Sequence, residues 1–268
     1  MTPRRPVALT IAGVDSGGGA GVVADAKTFE AHGVWATVAV TAVTAQYTLG
    51  VHAWAALEPA LVRAQIEAVA GDIGVDAVKT GMLATAAIVS VVAAAVRDLG
   101  IGPLVVDPVL ASTHGADLLA ADALDVVRAE LLPLARLVTP NLAEAEALVG
   151  SPVTDRATME AAARELVAMG AGAALVKGGH LAEDRASPDC LVMVGESEAH
   201  WLDGPRLAGR HTHGTGCTLS AAIAAELALG RALPDACRRA KAFVARAIAG
   251  GLDLGAGVGP VDPGAAPS

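Results

Sequence analysis

The chain has 268 residues, of which 53% are hydrophobic, 18% charged and only 2% aromatic. This length suits one large α/β domain or two small ones, and the apolar content excludes a disordered or collagen-like chain. The formal net charge is −9 and no segment clusters Lys and Arg. The sequence therefore does not favour a nucleic-acid-binding surface, which needs a basic stripe.

Three cysteines, Cys190, Cys217 and Cys237, share no CxxC spacing. An odd number of cysteines is a poor basis for a disulfide framework and indicates a reducing compartment. The apolar run Val7–Ala12 leads into polar Asp15 without a leader-cleavage pattern, and no apolar stretch reaches the roughly 18 residues of a membrane span. We expect a soluble, cytoplasmic protein that binds neither nucleic acid nor membrane.

Short β-branched runs alternate with alanine-rich helical stretches along most of the chain. The predicted strands are Val7–Ala12, Thr37–Val43, Ala77–Thr80, Leu104–Pro108, Leu137–Thr139 and Ala174–Lys177. The helices between them are predicted near residues 20–32, 60–71, 85–98, 117–131, 142–149 and 157–169. Because the strands are almost continuously apolar, this alternation predicts a mostly parallel sheet with helices on both faces.

The pattern changes after residue 185. Leu191–Val194 and Ala199–Leu202 flank a turn-like segment and predict a small antiparallel hairpin. Two further helices are predicted near residues 217–229 and 235–250. Since no repeat or linker is visible, we expect a single domain over residues 1–268, with loosely ordered ends at 1–6 and 262–268.

Several common catalytic signatures are missing from the sequence. There is no Gly-Lys dipeptide for a Walker A loop and no GxSxG nucleophile elbow, and the glycines of 17–21 do not fit GxGxxG in register. Instead, polar or glycine-rich segments follow the predicted strands, where an open parallel sheet binds its ligands. These segments are 13–21, Gln46, 79–82, 107–109, 139–144, 177–180 and 211–218.

The segment His213–Thr218 opens directly into a predicted helix of small residues. Successive glycines let backbone N–H groups point inward, and a helix N-terminus adds about half a positive charge. Gly214, Thr215, Gly216 and Cys217 are therefore predicted to form an anion hole for a transferring phosphoryl group. The alternative is a glycine-rich helix start that serves only as a turn.

The segment 213–222, with 9–13 leading into 15–21, resembles the hydroxymethylpyrimidine/phosphomethylpyrimidine kinases of thiamine biosynthesis, which belong to the ribokinase-like superfamily. The resemblance covers roughly residues 7–261, through the further motifs Asp25–Phe29, Thr41–Gln46, Val78–Met82, Val106–Val109, Thr139–Ala145, Val176–His180 and Gly257–Val261. It implies a ribokinase-like α/β fold, ATP and Mg²⁺ as cofactors, and a homodimer. It also implies two phosphoryl transfers, first to 4-amino-5-hydroxymethyl-2-methylpyrimidine and then to its monophosphate.

The resemblance also assigns residues to the substrate. Gln46 matches the glutamine that reads the nitrogen edge of the pyrimidine, and an amide can donate and accept at once. Asp25 matches a group that bonds the hydroxymethyl or amino side of the substrate, and a cap near the start of the first helix is the alternative. Gly13, Met82 and Val109 match the walls of the pocket, or are plain core.

For the nucleotide side, Asp107 and Glu144 match the acidic positions that hold Mg²⁺, largely through water. Asn141 should face the triphosphate, and it can also form a capping box with Glu144. The remaining matches are groups near the phosphates or the nucleotide, namely Lys177, Thr212 and Lys241. His213 lies beside them and is either a structural or an active residue. A solvated helix face is the alternative for Lys241.

Cys217 stands where many ribokinase-like enzymes have an aspartate base. Because a helix N-terminus lowers the pKa of a thiol, thiolate character is expected for Cys217. Cys190 and Cys237 are expected in the core. The loop 110–116 and the hairpin near 191–202 are candidates for mobile segments.

Three other functions compete with the pyrimidine kinase. Pyridoxal kinase on the same fold is the nearest alternative, which Gln46 and Cys217 disfavour. The second alternative is a cysteine-nucleophile enzyme built on Cys217 and His213, which is disfavoured because the sequence contains no hydrolase signature. A catalytically silent ligand-binding relative would not need the anion-hole glycines or the two acidic positions.

Overall fold

The computed structural model describes residues 4–110, 118–120, 122–179, 181, 186–207 and 209–265. These residues form a sheet in the spatial order β3-β2-β1-β4-β5-β6-β7-β8-β9. The strands are β1 Val7–Asp15, β2 Trp35–Tyr47, β3 Gly50–Ala56, β4 Ala77–Thr80, β5 Leu104–Val106, β6 Leu137–Val138, β7 Ala173–Lys177, β8 Asp189–Met193 and β9 His200–Leu202. From β2 to β7 all neighbours are parallel, while β3, β8 and β9 are antiparallel to theirs.

Helices cover both faces of the sheet. They are α1 Gly21–Ala31, α2 Pro59–Asp72, α3 Ala86–Leu99, α4 Ala123–Val126, α5 Leu142–Val149, α6 Arg156–Ala168, α7 Thr215–Ala228 and α8 Leu233–Ala249. A π turn, Val127–Leu131, continues α4, and a 3-10 turn, Pro263–Ala265, follows α8. The predicted α/β architecture, mostly parallel with an antiparallel hairpin, is therefore confirmed.

Side-chain alternation along the strands creates two cores. Leu9 of β1 and Val106 of β5 pack with α2, α3, α5 and α6 on one face. Ala8 and Val105, one residue earlier, pack with α1, α7 and α8 on the other face. Since successive strand side chains point to opposite faces, burying both faces requires the almost continuous apolar runs seen in the sequence.

The helix boundaries follow from local capping. Thr85 accepts the N–H of Ile88 at the start of α3, and Gly100 ends that helix with a left-handed φ of 60°. Asp155 and Thr158 form a capping box at the start of α6. These side chains satisfy backbone N–H groups that have no partner within the helix. The predicted helices here differ from the observed ones by one or two residues.

The sequence interpretation differs from the structure at the sheet edge. The second predicted strand continues to Tyr47, so that Gln46 lies within β2 rather than after it. Strand β3 was not predicted, because its side chains are largely exposed and show no alternation of apolar and polar residues. The predicted helix 117–131 begins only at Ala123 in the described part of the chain.

Some predictions concern residues beyond this description. Positions 111–116 of the proposed mobile loop lie outside the described residues, as do 1–3 and 266–268 of the two ends. The single-domain assignment stays a prediction. No described helix has both the length and the apolarity needed to cross a lipid bilayer.

Candidate active site

A cavity of about 1210 Å³ opens along the carboxyl edge of the parallel strands. It lies where the sequence analysis placed the ligand, since parallel strands bring their carboxyl ends to one edge. Of the predicted site residues, the following line it: Gly13, Gln46, Met82, Asp107, Val109, Asn141, Glu144, Lys177, Thr212, Gly214, Thr215, Gly216, Cys217 and Lys241. Asp25 is not among the lining residues.

The predicted anion hole is the N-terminus of α7. Gly214 is its N-cap with φ of 81°, and a Cβ there would overlap the carbonyl oxygen of Gly19. Glycine is thus required twice at this position, by the left-handed backbone and by the space. Thr215 begins the helix and its hydroxyl donates to the Thr212 carbonyl at 2.7 Å. The turn therefore presents the first helical N–H groups to the cavity.

Cys217 lies in the first turn of α7 and lines the cavity. Burial raises the pKa of its thiol to about 11; Lys79 and the N–H of Gly21 oppose this effect, and Asp25 and Asp107 add to it. The expectation of a lowered pKa from the helix N-terminus alone is therefore not met. Burial and neighbouring carboxylates outweigh the helix, and Cys217 is a thiol at neutral pH.

Charges of alternating sign line one part of the cavity. The Lys177 ammonium lies 3.2 Å from Asp107 Oδ1 and 3.8 Å from Glu144 Oε2. Ser220, one turn after Cys217, donates to the second oxygen of Asp107 at 3.1 Å. Although burial opposes ionisation of Asp107, Lys177 and Lys79 lower its pKa. Two carboxylate oxygens thus face one position that favours a cation.

Asn141 and Glu144 also start α5 as a capping box. The Glu144 carboxylate accepts the N–H of Asn141 at 2.7 Å, and the Asn141 amide oxygen accepts the N–H of Glu144 at 2.9 Å. The capping interpretation is therefore confirmed. Capping is compatible with the expected role of these residues beside the triphosphate and Mg²⁺, because both still line the cavity.

Lys241 also lines the cavity but is not on a solvated helix face. Its ammonium donates to the Ser187 carbonyl and to Asp189 Oδ2, both at 2.6 Å. Asp189 in turn accepts the N–H of Gly178 at 3.1 Å. The lysine therefore ties α8 to the ends of β7 and β8, at the edge of the cavity.

Asp25 lies beneath the cavity floor rather than on its surface. Its side chain is 0% exposed and binds Lys79 at 2.8 Å and the Thr10 hydroxyl at 2.6 Å. The predicted contact between Asp25 and the substrate is therefore not seen. Lys79 received no role in the sequence analysis, although it lies in the motif Val78–Met82 that helped to carry the resemblance.

Another end of the cavity is built around Gln46 and His213. His213 Nε2 lies 2.9 Å from Asp15 Oδ2 and 3.3 Å from Gln46 Nε2. Met82 covers this end, and a Cβ on Gly13 would lie 2.9 Å from the Met82 sulfur. Asp15 was not predicted as a site residue, although it opens the glycine-rich motif that carried the resemblance.

Residues 15–262 match the model of the family described as phosphomethylpyrimidine kinase. The chain belongs to this family. A hydroxymethylpyrimidine/phosphomethylpyrimidine kinase of Streptomyces coelicolor is 50% identical to it over 264 residues, which cover 98% of this chain and 96% of that protein.

Two solved structures are also similar. The Bacillus subtilis pyridoxal kinase, an ADP complex, has a TM-score of 0.89 at 35% identity and covers 98% of both chains. A phosphomethylpyrimidine kinase of Clostridium difficile has a TM-score of 0.80 at 37% identity, covering 91% of this chain and 100% of that one. The ribokinase-like fold expected from the resemblance is thus confirmed.

Proposed function

We propose that this protein transfers the γ-phosphoryl group of ATP to 4-amino-5-hydroxymethyl-2-methylpyrimidine and then to its monophosphate, for thiamine biosynthesis. One observation carries this proposal: Gln46, the helix N-terminus at Gly214 and the carboxylate of Asp107 line the same cavity. A ring-reading amide, an anion hole and an acidic position are the parts that a kinase of this family needs. Membership of the phosphomethylpyrimidine kinase family supports the choice of ring.

The pyrimidine end selects the substrate. Gln46 hydrogen-bonds the edge formed by ring N3 and the 4-amino group, since one amide offers both a donor and an acceptor. Gly13, Met82 and Val109 enclose the ring. The 5-hydroxymethyl group then faces the N-terminus of α7.

The transfer step depends on position and charge. The N–H groups of 214–217 stabilise the negative charge of the moving phosphoryl group. Because Cys217 is a thiol at neutral pH, its sulfur orients the attacking hydroxyl rather than removing its proton beforehand. The hydroxyl oxygen bonds to phosphorus as the bond to ADP breaks, and the proton passes late to an oxygen of the transferred phosphoryl group, which a loose transition state allows.

The nucleotide occupies the other half of the cavity. Lys177, Asn141 and Thr212 face its phosphates, and Lys241 lies at the same end. Asp107 and Glu144 fit Mg²⁺, since two buried carboxylate oxygens already converge on one cationic position at Lys177 Nζ. Mg²⁺ held by these two residues would supply positive charge that neutralises the phosphates.

The competing activity is pyridoxal kinase, which the similar Bacillus subtilis structure favours. Pyridoxal lacks the adjacent ring nitrogen and amino group that Gln46 would read. A product-resolved assay with Mg-ATP and hydroxymethylpyrimidine, its monophosphate or pyridoxal separates the two activities. We expect pyrimidine monophosphate and pyrophosphate as main products, and dominant pyridoxal phosphate would contradict the proposal.

We also propose a cytoplasmic homodimer. All three cysteines are free, which suits a reducing compartment. The edge strand β3 and its neighbour β2 expose Trp54, Val43, Tyr47 and the adjoining Leu49, and a second copy of the chain would cover this apolar edge. Light scattering should give a dimer mass for the wild type and a monomer mass for Trp54→Glu.

A further inference from the structure

The glycine-rich loop after β1 binds its own aspartate. Asp15 Oδ1 accepts the N–H of Gly17 at 2.8 Å, and Oδ2 accepts those of Gly19 and Ala20 at 3.1 and 2.9 Å. Three of the loop N–H groups are therefore directed at this carboxylate rather than at the cavity. Burial opposes ionisation of Asp15, but His213 and these N–H groups lower its pKa. The carboxylate is ionised at neutral pH and can only accept hydrogen bonds.

His213 is held firmly against this carboxylate. Its backbone pairs with the end of the chain, N–H to the Gly259 carbonyl and carbonyl to the Val261 N–H, both at 3.1 Å. A Cβ on Gly19 would lie 2.5 Å from the His213 ring, so the ring packs on bare glycine. Because Asp15 only accepts, the Nε2 atom at 2.9 Å must carry a proton.

The position of that proton decides the orientation of the Gln46 amide. With Gln46 Nε2 toward His213, two donors face each other at 3.3 Å. In that orientation the Thr44 hydroxyl also has two acceptors for its single hydrogen, the Val14 carbonyl at 2.9 Å and Gln46 Oε1 at 3.3 Å. Turning the amide by 180° replaces the donor–donor contact and leaves the Thr44 hydrogen to the Val14 carbonyl. Gln46 then donates to Thr44, and its oxygen shares the single Nε2–H of His213 with Asp15 as a three-centre hydrogen bond.

We propose that the Asp15–His213 pair makes His213 a specificity-determining residue, which locks the Gln46 amide with its oxygen toward His213 and its NH₂ toward Thr44. A locked amide accepts and donates in one fixed order along the ring edge. The 4-amino group binds on the His213 side and ring N3 on the Thr44 side. Since the hydroxymethyl carbon is next to the amino carbon, this order directs the hydroxymethyl group toward the loop 213–217.

The lock distinguishes two otherwise similar rings. The 4-amino pyrimidine presents an acceptor at N3 and a donor at position 4. The 4-oxo analogue, 5-hydroxymethyl-2-methylpyrimidin-4-one, presents the reverse, a donor at N3 and an acceptor at position 4. A freely turning glutamine would bind either ring equally, whereas the locked one rejects the oxo ring.

The test compares kcat/KM for the amino and oxo pyrimidines in the wild type and in His213→Phe, which keeps a flat ring but removes the N–H. We expect the wild type to prefer the amino ring by about 100-fold, because the oxo ring would place a donor against the Gln46 NH₂ and an acceptor against the Gln46 oxygen. In His213→Phe this ratio should fall to within about fivefold, because the amide can turn. A His213 that only supports the fold would lower both values together and leave the ratio unchanged, which would overturn the proposal.

A matched control is His200→Phe, an exposed residue of β9 whose partner is Glu196. Its ratio should equal that of the wild type. The inference rests on the proposed function, and a wild type that phosphorylates neither pyrimidine would refute that function instead.

Nitrogen NMR of the wild-type histidine side chains tests the lock without catalysis or variants. We expect the signal of a protonated Nε2 for His213 at neutral pH. An unprotonated Nε2 would overturn the proposal, because Gln46 could then donate to it.

Discussion

Lys79 and Asp25 form a salt bridge from which solvent is excluded. The Lys79 ammonium lies 2.8 and 3.0 Å from the two oxygens of Asp25, and both side chains are 0% exposed. Burial raises the pKa of the Asp25 carboxyl, whereas Asp25 raises the pKa of the Lys79 ammonium. The two short contacts between them favour the ionised pair. The pair lies next to Cys217 and Asp107, with which Lys79 also interacts electrostatically. A buried pair adds little net stability, which favours an electrostatic role beneath the anion hole.

Lys79→Met should destabilise the protein by about 3–5 kcal/mol, because it leaves the Asp25 carboxylate buried without its cation. Urea unfolding measures this loss. Adding Asp25→Asn to the same chain removes the orphaned charge and should restore most of the stability. If the single variant were as stable as the wild type, the pair would not be ionised.

The pH dependence of kcat distinguishes two roles for Cys217. A thiol with a pKa of about 11 contributes a thiolate whose fraction rises about tenfold per pH unit below that value. If Cys217 only orients the hydroxyl, the wild type and Cys217→Ala should have profiles of the same shape, with kcat lowered by about 10- to 100-fold in the variant. A tenfold rise per pH unit that disappears in Cys217→Ala would instead show that the thiolate is the base.

Gly214→Ala should abolish phosphoryl transfer and lower the stability of the protein. The alanine backbone would have to keep a left-handed φ, and its Cβ would also overlap the Gly19 carbonyl. Gly100→Ala is a matched control, with φ of 60° but nothing within 4 Å of the new Cβ. We expect Gly100→Ala to cost about 1 kcal/mol in thermal unfolding and to leave kcat unchanged. Equal effects of the two substitutions would mean that the backbone angle alone matters.

Asp15 should contribute to stability in a pH-dependent manner. Its pKa lies below the ordinary value of 3.8, because the His213 and backbone hydrogen bonds overcome burial. A lowered pKa gives a contribution that is fully present above 3.8 and is lost as the pH falls through the folded-state value. In urea unfolding at pH 7, the wild type should have a larger free energy of unfolding than Asp15→Asn, and this difference should narrow below pH 3.8. A difference that does not change with pH would show that the charge of Asp15 is not involved.

The sequence predicted the residues of the candidate site better than it predicted the edge strands of the sheet. Apolar runs and glycine-rich strand ends are local signals, and they located Asp107, Glu144, Lys177 and the start of α7. Strand β3 gave no such signal, because an exposed edge strand needs no alternating pattern. Asp25 was placed on the substrate for its position in a motif, whereas its burial depends on Lys79, 54 residues away.

The sequence by itself determined the α/β class, the family resemblance and a set of candidate site residues of which all but Asp25 line the cavity, since these follow from local periodicity and from short motifs. Tertiary structure alone decided the partners of the charges: Asp25 with Lys79, Asp15 with His213, Lys177 between Asp107 and Glu144. It also decided the protonation of Cys217, because a pKa depends on burial and on neighbours brought together from distant strands. No local pattern can encode those distances.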